Sequence, residues 1–443
     1  MINPKKILEC RANPIDYTDD QKSALLLVQT FLHSKELFFL LSGNAGTGKT
    51  TLAENIARYS NARMIAPTNA AVQRLKDRFK HNNPNVSQFS DNAFSTIHAV
   101  LYGAPDPDTG EFIPKEGLMK GCVYIVDEAS MIEGNVLDDL LVEAKSKKAK
   151  LIFLGDDFQL EPVGKDPKLF EWENSNPEFN ANWRVKLNEV MRNEGSILEV
   201  ATHLRNNVGV QVLNKDQADF KLVNQFTSEL PLDISHSKDF VVLVPTNRLR
   251  LDYNRHIRNA KYEEDAVNPF NDGERLIAVG NNVFMNGETY TIRYPELICD
   301  FDKAFNIGSR NKPVMKKYKM YLISHEVEGK EGEYKTLLVP NLDIASLHSH
   351  QILSNYNLYR DNDLTKYHKG IGKRLWRSNI NIATYGYAIS VHKSQGNEWD
   401  HVYVDVSWLS DAWNKARWLY TAITRAKKKV EVRRSYQFQI VDG

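Results

Sequence analysis

Short apolar runs alternating with helix-period stretches organise the chain from Glu36 to Gly164. "LFFLL" (Leu37–Leu41), "RMIA", "VYIV" and "LIFLG" are unbroken apolar segments, the pattern of strands buried on both faces. Between the first two, "TLAENIARY" sets Leu52 and Ile56 on one helical face. After the second, Val72, Leu75 and Phe79 repeat that spacing. Alternating strands and helices predict a parallel sheet covered by helices on both faces. A second such module comes late: strand "VVLVPTN", helix "RLRLDYNRHIRNA", strand "HVYVDV", helix "AWNKARWLYTAITRA" and strand "KKVEVRRS". Between Asn286 and Ser378 the pattern changes. "ETYTIRY", "YKMYLISHEV" and "EYKTLLVP" read as strands of a small antiparallel barrel, with "EGKEGE" as a hairpin turn. "GAPDPDTGEFIPKEG" (Gly103–Gly117) breaks the first module with Pro and Gly and suits a surface hairpin. The predicted organisation is a first α/β domain over 1–190 carrying the hairpin at about 100–120. A second α/β domain covers 191–285 and 379–443, and the barrel-like insertion covers 286–378.

Composition narrows the class. A chain of 443 residues allows two or three domains, and 42% hydrophobic content is enough for real cores. The formal net charge of +1 means that any surface for nucleic acid must be local. Cys10, Cys122 and Cys299 form no metal-ligand spacing and suggest a reducing compartment without disulfides. "MINPKKILEC" lacks the apolar core of a signal peptide, and "LFFLL" is far too short to span a bilayer. The expectation is a cytosolic protein without a membrane partner.

Candidate chemistry begins at "GNAGTGKT", Gly43 to Thr50, which fits the phosphate-loop pattern G-x-x-x-x-G-K-[ST] between a strand and a helix. Its glycines let backbone N–H groups face phosphate oxygens, Lys49 reaches the β and γ phosphates, and Thr50 ligates Mg²⁺. "VYIVDEAS" puts Asp127 and Glu128 at the end of a buried strand, where Asp127 can hold Mg²⁺ and Glu128 can activate a water. An acidic pair there also serves as a helix cap. "YTDDQ" has the same ambiguity: Thr18 and Gln21 make a capping box, and Gln21 could instead read an adenine edge. The run Lys366 to Arg377, with Tyr367 and Trp376 interleaved, is either a nucleic-acid surface or a solvated face.

The ordered set "YTDDQ", "GNAGTGKTT", "APTNAAVQRL", "STIHAV", "VDEAS", "LGDDFQLEPV", "EVMRN", "VPTNR", "YAISVHKSQGNEWD" and "LYTAITRAK" resembles superfamily 1 helicases, most of all the RecD and phage Dda group. The likeness runs from Tyr17 to about Val430. It implies two RecA-like P-loop NTPase domains, a hairpin insertion in the first, an SH3-like barrel insertion in the second, ATP in the cleft between them and single-stranded DNA across their tops. It gives adenine to Gln21 and the phosphates to Gly43, Asn44, Ala45, Gly46, Thr47, Gly48, Lys49, Thr50 and Thr51. Asp127 and Glu128 take metal and water, and Gln159 senses the γ-phosphate. Arg192 and Arg425 approach that phosphate from the second domain, and Glu398 lies near the ribose or γ-phosphate. For DNA it points to Pro67, Thr68, Asn69, Thr96, His98, Thr246, Asn247, His392, Lys393 and Ser394; many relatives have histidine where Asn69 stands. Phe112, near the hairpin tip, either wedges the duplex junction or packs the hairpin onto its own domain. The resemblance implies a DNA-stimulated ATPase moving 5′ to 3′, active as a monomer on single strands and duplex junctions. An RNA-directed helicase, the motor subunit of a nuclease complex, and a nucleic-acid-binding scaffold with a vestigial nucleotide site remain alternatives.

Overall fold

The computed structural model describes residues 7–8, 16–82, 93–105, 112–115, 117–161, 169–170, 181–189, 195–206, 211–224, 239–279, 284, 287–306, 315–338, 380–410, 414–435 and 438–442. They form two compact units: those within Met1–Gly209 together with Ala416–Thr424, and those within Val210–Lys415 together with Arg425–Gly443.

In the first unit the described α-helices are α1 (Asp19–Leu32), α2 (Lys49–Ser60), α3 (Asn69–Asn82), α4 (Ile97–Leu101), α5 (Gly134–Lys147) and α6 (Ser196–Asn206), together with the late helix Lys415–Ile423 from Ala416 onward. The strands are β1 (Phe38–Gly43), β2 (Arg63–Ala66), β3 (Phe94–Thr96), β4 (Tyr102–Pro105), β5 (Phe112–Pro114), β6 (Val123–Val126), β7 (Lys150–Gly155) and β8 (Arg184–Leu187). Six of these form one sheet in the order β3-β2-β6-β7-β1-β8, with every neighbouring pair parallel. Because side chains alternate across a strand, the apolar runs feed two cores. Phe39, Leu41, Ile152 and Leu154 pack with Leu25, Leu52, Ile56 and Phe79 of α1 to α3. Their neighbours Phe38, Leu40, Leu151 and Phe153 pack on the other face with Leu137 and Leu140 of α5. Each such side chain contributes about 1.5–3 kcal/mol when buried.

The expected hairpin is present as the antiparallel pair β4–β5, with Tyr102 opposite Pro114. Its base is fixed by the Tyr102 hydroxyl donating to Asp139 on α5. Close packing also requires Gly117, where a Cβ would fall 1.7 Å from the Val100 carbonyl oxygen. Residues 106–111 and the side chain of Phe112 lie outside the described residues.

The second unit contains β9 (Gln211–Asn214), β10 (Phe220–Val223), β11 (Phe240–Val244), α7 (Asn247–Tyr262), β12 (Arg275–Ala278), β13 (Thr289–Asn306), β14 (Met315–Val327), β15 (Lys330–Leu338), β16 (Ile380–Tyr385), β17 (Ala388–Ser390), α8 (Val391–Ser394), β18 (Trp399–Val404), β19 (Ala426–Arg433) and β20 (Gln439–Asp442). Its parallel sheet has the order β10-β19-β18-β11-β17, and β9 pairs with β20 apart from it. The barrel is closed: β12 to β16 pair in succession, β16 returns to β12, and β15–β16 is the one parallel contact. Its first and last strands, "RLIA" and "INIATY", flank the segment whose pattern suggested it. Barrel and sheet share one core, in which Ile257 of α7 and Phe240 and Val242 of β11 meet Leu276, Phe284, Tyr290 and Leu338.

The helix expected over "AWNKARWLYTAITRA" is shorter at its end. It stops at Ile423, leaving Thr424 and Arg425 in a turn. The Thr424 hydroxyl donates to the carbonyls of Tyr420 (2.8 Å) and Thr421 (3.1 Å), taking up the last turn's acceptors. The next residues pair into β19 instead, with Trp399 N donating to the Arg425 carbonyl.

Candidate nucleotide and nucleic-acid site

The phosphate loop follows from β1, buried along its whole length, turning directly into α2. Gly46 and Gly48 have φ of 81° and 83°, a left-handed conformation that costs any L-residue. Gly48 is also the N-cap of α2 and supplies no side-chain cap, so the first N–H groups of the helix keep their donors and positive dipole end for an anion. A Cβ on Gly48 would lie 2.6 Å from Gln21 Nε2, and one on Gly43 would lie 2.8 Å from Thr47 Oγ1. Lys49 donates to the carbonyls of Gly43 (2.7 Å) and Asn44 (2.8 Å). Burial pulls its pKa down, opposed by the carboxylates of Asp156, Glu128 and Asp127 around it.

Gln21 does both local jobs at once. Its Oε1 accepts from Thr18 N (3.2 Å) while Thr18 Oγ1 accepts from Gln21 N (3.3 Å), completing the capping box. Its Nε2 donates to the Thr47 carbonyl (2.9 Å), bracing the phosphate loop from α1.

Asp127 ends β6, with its N–H donating to the Ile65 carbonyl (2.9 Å). Burial, and then the charge of Glu128, raise its pKa to about 6, against the cations of Arg74 and Lys49. Its Oδ2 is buried without a hydrogen-bond partner. A buried carboxylate oxygen of this kind fits a hard divalent ion that takes few protein ligands and relies on substrate phosphate. No group of three or more His, Cys, Asp or Glu side chains able to hold a metal occurs among the described residues. Glu128 has φ 50°, uncommon for a residue with a Cβ, which turns its side chain out of the strand direction. Arg74 of α3 fixes it through Nη2–Oε1 at 2.7 Å. Gln159 is buried, and its Oε1 likewise lacks a partner.

Asp156 organises this side of the site. Its Oδ1 accepts from Phe158 N (3.0 Å) and Arg205 Nη1 (2.7 Å), and its Oδ2 from the Tyr420 hydroxyl (2.6 Å). The same hydroxyl accepts from Ala45 N of the phosphate loop (3.0 Å). Thr421 Oγ1 accepts from Leu160 N (2.8 Å), and Arg417 pairs with Glu161 (2.9 Å). The helix Lys415–Ile423 is therefore stitched to the loop after β7.

The residues proposed for DNA stand at the carboxyl ends of adjacent parallel strands. In the first unit, β2 pairs with β3, so Pro67, Thr68 and Asn69 follow one strand end and Thr96 and His98 its neighbour's. Thr68 Oγ1 accepts from Ala71 N and Thr96 Oγ1 from Ala99 N, starting α3 and α4. Burial lowers the pKa of His98, with Glu133 opposing, and its ring lies 5.5 Å from that of Tyr102. In the second unit, β11 pairs with β17, which brings Thr246 and Asn247 beside His392, Lys393 and Ser394. Thr246 Oγ1 caps α7 through Leu249 N (3.3 Å), and Asn247 Oδ1 accepts from Arg250 Nε (3.3 Å). Ser394 is fully buried, its hydroxyl donating to the Val391 carbonyl (2.7 Å), a local structural role. Lys393 has its pKa pulled down to about 8 by burial, with Arg250 adding to the shift. Burial also lowers the pKa of His392.

Profiles of two known domains match the chain: the AAA domain over residues 16–221 and the UvrD-like helicase C-terminal domain over residues 385–432. Among curated proteins, RecBCD enzyme subunit RecD of Buchnera aphidicola (subspecies Schizaphis graminum) is 24% identical, covering 97% of this chain and 78% of its own. ATP-dependent DNA helicase dda of Enterobacteria phage T4 is 27% identical, covering 94% and 98%. The chain is a superfamily 1 helicase of the RecD and Dda type. A crystal structure of the Pif1 helicase from Bacteroides in complex with ADP-AlF3 and ssDNA aligns with this helicase over 97% of the chain and 95% of its own, at 15% identity and TM-score 0.47.

Within the helicase, the structure gathers Gln21, the loop Gly43–Thr51, Asp127, Glu128 and Gln159 in the first unit, while Glu398 and Arg425 belong to the second. Arg425 is buried. Arg192 and the basic run Lys366 to Arg377 lie outside the described residues. Four contributors had no role assigned from sequence: Arg74, Asp156, Arg205 and Tyr420. Arg74, Asp156 and Tyr420 sit inside "APTNAAVQRL", "LGDDFQLEPV" and "LYTAITRAK", where position within a motif was an available signal. Arg205 is in no motif. No helix among the described residues is long and apolar enough to cross a membrane.

Proposed function

We propose that this helicase hydrolyses ATP to move 5′ to 3′ along single-stranded DNA and separates the duplex ahead of it. The observation that carries the reading is the surround of Lys49: three carboxylates, an uncapped helix N-terminus and a Glu128 held by Arg74 converge on one phosphate loop. In this reading the loop N–H groups and Lys49 bind the phosphates, and Gln159 registers the terminal one. Glu128 takes a proton from the attacking water, and Arg74 keeps its carboxylate in place. Thr50 and Asp127 would hold Mg²⁺, which supplies charge neutralisation on the phosphates. Arg425 and Arg192 take the charge of the transferring phosphoryl group, as the family likeness assigns them. The strand-end residues Pro67 to Asn69, Thr96, His98, Thr246, Asn247, His392 and Lys393 contact the strand, and Glu398 contacts the nucleotide. The β4–β5 hairpin, anchored through Tyr102, acts as the separating wedge at the junction, the role the family likeness offers for Phe112.

Polarity and substrate are tested together by strand displacement on duplexes with a 5′ or a 3′ single-stranded tail, in DNA and in RNA. Unwinding from the 5′ DNA tail alone is expected; unwinding from the 3′ tail alone removes the direction, and activity confined to RNA removes the substrate. A second reading, a motor subunit of a nuclease complex, is favoured by the RecBCD subunit among the relatives, and it predicts the same motor activity in isolation.

A further inference from the structure

In the second unit, the turn that follows β18 carries a side chain that the helicase reading leaves unused. Most of that turn is tied down. Asp405 is fully buried: its Oδ1 accepts from Ser407 N (2.8 Å), and its Oδ2 from the Tyr253 hydroxyl of α7 (2.6 Å) and from Arg433 Nη1 of β19 (3.0 Å). Val406 and Leu409 are buried as well, and Leu409 N donates to the Val406 carbonyl (3.3 Å). Trp408, between them, is the exception. It is 78% exposed, and its φ is 64°. A large apolar ring in water is unfavourable, and so is a left-handed backbone under a bulky side chain. Asn or Gly would suit such a turn better. An outlier that the bonds around it hold in place points to a use for the side chain.

A second observation is where this turn lies. In the parallel sheet β18 pairs with β11, and β11 pairs with β17 on its other side. The carboxyl ends of the three strands therefore form one edge, and Lys393, Asn247 and Trp408 follow them in turn. With neighbouring strands about 4.8 Å apart, the three strand ends lie within about 10 Å. The edge thus offers a cation, a hydrogen-bonding side chain and an exposed indole side by side, and the carboxyl edge is where open α/β sheets take their ligands.

We propose that Trp408 is a stacking platform for one base of the bound single strand, beside the phosphate contacts at the ends of β11 and β17. The inference rests on the nucleic-acid reading of that edge. Cations and amides alone hold a backbone, whereas an indole adds a flat face that any base can cover, without reading sequence. Because Asp405 fixes the turn, little ordering of the protein is left to oppose stacking. An exposed indole also suits a protein interface, but its cationic and hydrogen-bonding neighbours favour a strand of nucleotides.

Fluorescence anisotropy of the full chain tests this with two labelled strands of equal length, an oligothymidylate and one whose sugars carry no bases. Trp408→Ala is expected to weaken oligothymidylate binding about tenfold and to leave binding of the abasic strand unchanged. Trp408→Phe, which keeps an aromatic face, should recover most of the affinity. Trp408→Gly removes the ring and also suits the left-handed backbone, so it should melt no lower than the wild type while showing the same loss. That pairing separates the ring's contact from unfolding. Oligothymidylate binding that Trp408→Ala leaves intact overturns the stacking role alone and makes a protein partner the occupant of the ring. An equal loss on the abasic strand overturns it too, as the mark of a displaced phosphate contact. Wild-type protein that binds neither strand removes the nucleic-acid reading of the edge, and this inference with it.

Discussion

The same strand–turn–helix unit occurs in both halves of the molecule with opposite endings. In the first unit β1 runs into α2 through Gly48, which has a left-handed backbone and no side chain to cap the helix. In the second, β11 runs into α7 through Thr246, whose hydroxyl accepts from Leu249 N. One helix start keeps its N–H groups for a ligand, and the other satisfies one internally. The carboxylates follow the same division. Asp127, Glu128 and Asp156 surround the first turn, while Lys393 and His392 stand beside the second. Under the proposed function, a single architecture would serve phosphate chemistry in one place and hold a polyanion in the other, by a few residues at strand ends.

The largest expected effect breaks the hydrolytic half alone. Glu128→Gln should lower kcat by about 10²–10⁴-fold, the range for losing a general base, with ATP and DNA binding retained. Turnover close to wild type would remove Glu128 from that role. Gly48→Ala forces a Cβ into the left-handed region and toward Gln21, at a cost of about 1–2 kcal/mol, so nucleotide affinity should fall about tenfold in a fluorescence titration. Thr246→Ala removes the cap of α7 and should cost about 1 kcal/mol in a denaturant melt while leaving basal ATPase alone. If ATPase fell in parallel, the two turns would not be functionally separate. The smallest effect concerns pH. Because Lys393 has a pKa near 8, its charge is present below that value and lost above it, so DNA affinity should weaken as pH rises through about 8. Lys393→Arg should flatten that profile, and an equally steep profile in the variant would place the titrating group elsewhere.

Much of this was legible in the chain. The unbroken apolar runs announced strands buried on both faces, and the phosphate loop and Asp127 were readable from their places at strand ends. The barrel's three long strands were visible, but "RLIA" and "INIATY", which close it, are short runs about a hundred residues apart whose pairing no local period encodes. The Asp156 hub was hidden for the same reason: its partners Arg205 and Tyr420 lie 49 and 264 positions away. The end of the last helix depended on Thr424 turning its hydroxyl back and on β19 finding β18, which are tertiary outcomes. The cap reading of Gln21 is present through Oε1, and its Nε2 braces the phosphate loop, a contact that neither the cap nor the adenine reading named.

The most direct test of the division of labour is steady-state ATPase of the full chain with and without single-stranded DNA, beside Lys49→Ala. The account predicts turnover that DNA stimulates in the wild type, and loss of turnover with retained DNA binding in the variant. ATPase indifferent to DNA, or a Lys49→Ala protein that hydrolyses ATP normally, would contradict it.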